Sequence, residues 1–114
     1  MADSELVYSV ESVDLAIMKS NPPQLSIHAK GTARTPGYTN PELREIIYVQ
    51  PPEDGIYEYD FVATPPSGIV TQNLVPIEAS TVRHSIPDDL KGIRVRAATN
   101  SKETLLEHPA AAAV

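Results

Sequence analysis

Hydrophobic and polar residues alternate with a period of two along most of this chain, and that rhythm predicts strands. From Ile56 onward Tyr57, Tyr59, Phe61 and Ala63 share one parity, and Glu58, Asp60 and Thr64 the other. Successive side chains on a strand point to opposite faces, so one face of this segment is expected to be dry and the other wet. The pattern is cleanest at 25–34, where Leu25, Ile27, Ala29, Gly31 and Ala33 are expected inward and Ser26, His28, Lys30, Thr32 and Arg34 outward. The small pair Gly31 and Ala33 is expected to leave room for the large tyrosines, since cores fill by setting large residues against small ones. Ile93, Val95 and Ala97 are expected inward from a further strand, with Arg94, Arg96 and Ala98 outward.

Two other strands carry a break. Leu6, Tyr8 and Val10 have one parity and Val13, Leu15 and Ile17 the other, so the first strand changes phase near Glu11-Ser12. Either a β-bulge or a strand split between two sheets produces that shift. Val75, Ile77, Ala79 and Thr81 share a face, but Pro76 lacks the N–H that a central strand needs, so this strand is placed at an edge or split there.

Turn chemistry connects these segments. The stretch 43–65 reads as a β-hairpin: Pro51, Pro52 and Asp54-Gly55 supply the turn, setting Val49 opposite Tyr57 and Ile47 opposite Tyr59. Ser20-Asn21-Pro22-Pro23 ends the first strand, and the loop 35–41 leads into the hairpin. The segment 86–92, with Pro87 at its start, Asp88 and Asp89 near the positive end and Gly92 to stop it, reads as one helical turn. Beyond Asn100 the chain ends in Pro109 and four alanines, so 1–100 is expected to form one domain and 101–114 a disordered tail.

Composition narrows the class. A chain of 114 residues is one domain by length and buries about two-thirds of its unfolded surface, enough for a core without staples. Cysteine is absent, which removes disulfides and thiolate metal sites and leaves the redox compartment open; the compartment is unknown and cytoplasmic by default. The N-terminus MADSELVYSV is no secretory signal, and no apolar run approaches the ~20 residues of a membrane helix, so a soluble protein is expected. A net charge of −6 argues against nucleic acid and anionic membrane as partners, which need clustered Lys and Arg. Six or seven short strands with turns about every 10 residues make an all-β sandwich the first choice, with a small β-barrel as the alternative.

Residues 86–100, IPDDLKGIRVRAATN, resemble the stretch of immunoglobulin-like and fibronectin type III domains in which a one-turn connection feeds an alternating strand that ends in a small residue and Asn. The resemblance implies architecture only, an immunoglobulin-like antiparallel β-sandwich of six to seven strands. The core Trp and the cysteine pair are missing and Ile93 stands where a corner tyrosine is expected, so no functional residue is carried over.

Catalytic chemistry finds little support in the sequence. A nucleophilic triad needs a hydroxyl or thiol, a histidine and an acid within reach. His28 is expected on a wet strand face, His84 in a loop and His108 in the tail, so no catalytic set converges. Glu53-Asp54 and Asp88-Asp89 lack the regular oxygen spacing of calcium loops, and turn and capping roles account for both pairs. No metal or other cofactor is expected. Glu58 and Asp60 on one strand and Arg94 and Arg96 on another would form a ladder of opposite charges if those strands were neighbours.

The loops carry the functional expectation. If strands run up and down, 35–41, 64–68 and the segment after Asn100 meet at one end. There TPGYTNP, TPPSG and TNSK hold Thr, Asn and Ser around Tyr38, with Arg34 at the rim. Stiff loops on a rigid scaffold lose less entropy on association. The expected function is therefore a non-enzymatic module that binds a protein or glycan through Arg34, Tyr38, Thr39, Asn40, Thr64 and Ser67. The alternative is an assembly domain that pairs through an edge strand, as a homodimer or with another domain, the strand around Leu6 to Ile17 being the unprotected candidate.

Overall fold

A computed structural model describes residues 4–47, 53–68, 71–84, 86–87 and 89–106. Among these residues eight strands form two packed sheets: β1 (Glu5–Leu6), β2 (Ser9–Met18), β3 (Gln24–Ala33), β4 (Thr39–Glu45), β5 (Ile56–Thr64), β6 (Val75–Arg83), β7 (Gly92–Arg96) and β8 (Ser101–Leu105). One sheet has the order β2-β3-β6. The other has β4, β5, β7 and β8 side by side, with β1 on the edge of β5 beyond the end of β7. The arrangement is an all-β sandwich and not a closed barrel.

The period-two reading places the core correctly. Leu25, Ile27, Ala29 and Ala33 on β3 are buried, as are Tyr57, Tyr59, Phe61 and Ala63 on β5 and Ile93 and Val95 on β7. Phe61, rather than a tyrosine, fills the space beside Gly31: a Cβ there would fall 3.2 Å from the Phe61 ring and collide with the Ser9 carbonyl oxygen. The phase change in the first strand reflects both options at once. Leu6 pairs with Val62 in one sheet, Ser9 with Thr32 in the other, and the β2–β3 register shifts between Val10 and Ser12. Pro76 lies on β6, an edge strand of the three-stranded sheet.

Four expectations need correction. The hairpin exists, but Glu45, not Ile47, lies opposite Tyr59, and Ile47 is 81% exposed; Val49, Pro51 and Pro52 lie outside the described residues. Buried Leu43 opposite Phe61 sets this register, while the Gly55 carbonyl accepts the N–H groups of Lys91 and Gly92 and so ties the turn to β7 instead of to β4. Second, the tail does not begin at residue 101, because Ser101–Leu105 form β8 on the edge of β7; residues 107–114 lie outside the described residues. Third, the described residues of 86–92 hold no helix: the Leu90 N–H donates to Pro87 O and closes a single turn, buried Leu90 anchors it to the core, and Asp88 lies outside the described residues. Fourth, the sheets are not wholly antiparallel, since β5 and β7 pair in parallel. Both strands start from the same end because β6, in the opposite sheet, returns the chain between them; parallel neighbours require such a crossover.

The parallel pairing also aligns the outer charges. Glu58 stands opposite Arg94 and Asp60 opposite Arg96, with Arg96 Nε 2.8 Å from Asp60 Oδ1 and Arg94 bridging Glu58 and Glu103 at 3.8 and 2.7 Å. The ladder expected from sequence is therefore present, extended by a glutamate from β8.

Candidate functional site

One end of the sandwich gathers the connections β3–β4, β5–β6 and β7–β8 around the short strand β1, because Thr39 pairs with Thr64, Ala33 with Val75 and Arg96 with Ser101. The loops touch: a Cβ on Gly37, which has φ +94°, would lie 3.1 Å from Pro66 Cβ. Only a residue without a side chain accepts both that conformation and that approach. Thr35 is buried and Tyr38 packs against the core cluster, so the loop is pinned at two points.

The six sequence-selected residues fall into two groups. Arg34, Thr39, Asn40 and Ser67 are exposed; Tyr38 and Thr64 are partly buried. Thr39 and Asn40 begin β4 and Thr64 ends β5, so half the set stands on strand ends rather than in loops. Asn40 has φ +51°, a left-handed conformation that asparagine tolerates better than most residues. It lies where the β4–β5 register shifts between Thr39 and Glu42.

Tyr38 serves the fold as well as the surface. Its hydroxyl donates to the Glu5 carboxylate across the end of β5, and its ring is half-buried. Burial, the bond to Glu5 and that residue's charge raise the phenol pKa above 10.0, against the opposing pull of Arg34. Arg34 itself lies over the Tyr8 ring, 5.8 Å from its centroid.

A shallow cleft of about 450 Å³ continues this end, lined by Leu6, Arg96 and the turn 97–101. Sequence reasoning missed its architecture. The Asn100 amide donates to Val10 O and accepts from Val10 N–H, both at 2.9 Å, while Thr99 Oγ1 donates to Tyr8 O at 2.7 Å. Asn before a small polar residue signals a turn, but only the fold reveals that its amide serves as a strand edge.

The opposite end is polar in a different way. Arg83, with its side chain 15% exposed, donates to Glu45 and to Tyr59 Oη and stacks 4.8 Å from the Tyr57 ring centroid; Tyr57 Oη donates to Asp89. Burial is the largest cause raising the Tyr57 and Tyr59 phenols above 10.0. His84 is exposed nearby in sequence, Asp88 and His108 lie outside the described residues, and His28 is on the outer face, 3.5 Å from Glu78. Among the described residues, no group of three or more His, Asp or Glu could hold a metal ion, and no helix is long and apolar enough to cross a membrane.

The fold defines the class as a two-sheet all-β sandwich, with exposed polar residues gathered at one strand-end face. No family model, no curated protein and no solved structure matches this chain.

Proposed function

We propose that this protein is a non-enzymatic binding module that recognises a protein or glycan through the face built from Arg34, Tyr38, Thr39, Asn40, Thr64 and Ser67. The observation that carries the reading is the mutual bracing of the two loops. Gly37 against Pro66, buried Thr35 and the Tyr38–Glu5 bond fix the backbone before any partner arrives, while Arg34, Thr39, Asn40 and Ser67 remain exposed. Preorganisation of that kind lowers the entropic cost of association. An immunoglobulin-like or fibronectin type III-like kinship is supported by the two packed sheets and by the alternating strand Gly92–Arg96. The parallel β5–β7 pair departs from the antiparallel sheets of those domains.

The test is partner capture with the full chain. Thr39→Ala with Ser67→Arg should abolish capture while leaving the melting temperature within a few degrees, because both side chains are exposed. Ile47→Ser, at the far end, should leave capture intact. Capture lost with Ile47→Ser and kept with Thr39→Ala/Ser67→Arg would place the surface elsewhere.

One observation favours the assembly reading. Among the described residues β8 pairs only with β7, Leu105 on it is 66% exposed, and a groove lined by Val13, Leu15, Ile17 and Leu106 runs beside it. β8 thus joins β2 as a candidate edge; β2 ends its own sheet, and its Val13 carbonyl accepts from Thr104 Oγ1. Sedimentation decides: a dimer that survives dilution and is broken by Leu105→Lys supports assembly, and a monomer at all concentrations refutes it.

A further inference from the structure

We infer that the strand-end face takes an acidic protein segment, with Arg34 pairing to a carboxylate of the partner; the inference rests on the binding-face reading above. The chain contains five arginines. Arg44, Arg83, Arg94 and Arg96 each lie within 4 Å of a carboxylate of the chain itself. Arg34 forms no ion pair among the described residues, although acids outnumber bases by six. The four lysines form none either, but an ammonium is a compact, strongly hydrated charge, whereas a guanidinium is weakly hydrated and shaped for two-point pairing with a carboxylate.

Two carboxylates on the neighbouring strands accept hydroxyl donors instead. Glu5 accepts the Tyr38 hydroxyl, and Glu11 accepts the Thr32 hydroxyl at 2.9 Å. The Tyr8 ring holds the guanidinium from one side, which leaves its N–H edge for a ligand and reduces the rotamer freedom lost on pairing. Beside it β4, which among the described residues pairs with β5 alone, shifts register between Thr39 and Glu42, and its outer edge can meet a peptide backbone. Charge supplies one contact and the open backbone the other, and an acidic peptide offers both. The repulsion expected from the net charge is screened beyond about 8–10 Å at physiological salt, so the local pairing decides.

The test uses the full chain with a library of random twelve-residue peptides and amide shifts to locate binding. Peptides that shift the amides of 34–40 should be enriched in Asp and Glu. Arg34→Gln should weaken them about ten- to a hundredfold, the range for a hydrogen bond to a charged group. Arg34→Lys should recover part of the loss, and Arg34→Glu should select basic peptides instead. Peptides or neutral glycans that bind this face without acidic enrichment, and with Arg34→Gln within twofold of the parent, overturn the inference and leave the binding face standing. No shifts at 34–40 or 64–68 with any peptide or glycan overturn both.

Discussion

Asn100 offers the sharpest test of how the two sheets are joined. Its side-chain amide takes both backbone hydrogen bonds of Val10, a residue only 1% exposed at the β2 bulge. Asn100→Ala removes both partners and leaves an N–H and a carbonyl facing a methyl group. An orphaned buried polar group costs about 1–3 kcal/mol, and water entering this half-open site recovers part, so a loss of about 2 kcal/mol is expected. For a domain of this size that lowers the melting temperature by about 8 °C. Thermal unfolding by circular dichroism measures the first quantity and amide exchange at Val10 the second. Asn100→Asp separates the two bonds: it keeps an acceptor for the N–H but turns a carboxylate toward Val10 O. It should therefore be destabilised at neutral pH and recover relative to the parent below about pH 4, where the acid carries a proton to donate. A melting temperature within about 2 °C of the parent for Asn100→Ala, with Val10 still protected, would refute the account of the junction.

Gly31→Ala places a methyl against the Ser9 backbone and the Phe61 ring, so it should cost about 1–3 kcal/mol in chemical denaturation; an unchanged midpoint would mean that the bulge shifts freely. The phenols of Tyr38, Tyr57 and Tyr59 are raised above their ordinary value, so the folded state holds its protons more tightly than the unfolded chain. Stability is then complete below pH 10 and declines as pH rises through the folded values; ultraviolet titration should show late-ionising tyrosines that become ordinary in urea. The exposed Arg96–Asp60 pair should show a coupling of only about 0.2–1 kcal/mol in a double-mutant cycle, weakened further by salt.

What the sequence revealed and what it concealed have separate physical causes. Alternation reports which side of a strand is dry, so β3, β5, β6 and β7 were legible with their faces, and the phase change at Glu11-Ser12 marked the bulge in β2, whereas the change of sheet lies earlier, between Leu6 and Ser9. Alternation carries no direction, and the parallel β5–β7 pairing was therefore invisible even though its charge ladder was foreseen. It also requires apolar residues. SKETL has one, at its end, so β8 looked like tail, and its place depends on β7 and on Glu103 meeting Arg94. The register of β4 was misjudged because Ile47 is a better hydrophobe than Glu45. Glu45 shares the parity of buried Leu43 but is exposed at the strand end, where Arg83 and Tyr59 pair with its carboxylate. Of the candidate site, residue types and placement at one end were legible, while the anchoring role of Tyr38 depended on Glu5, thirty-three residues away.

The two ends of the sandwich differ in a way that favours the proposed binding face over the far end. At the far end Glu45, Tyr57, Tyr59, Arg83 and Asp89 bond to one another, with Arg83 Nε left buried without a partner among the described residues, and an incoming ligand would have to break protein hydrogen bonds to engage the rest. At the near end Arg34, Thr39, Asn40 and Ser67 are exposed on a braced backbone, so a ligand displaces solvent alone. Exchanging water for a protein or sugar group is close to neutral for each polar contact, which makes preorganisation and the charge of Arg34 the quantities that decide affinity. Loosening the brace should then weaken binding without touching a contact residue. Pro66→Gly removes the surface on which Gly37 rests, and it should raise the dissociation constant through a faster off-rate while the strand core, and with it the far-end network, stays as it is.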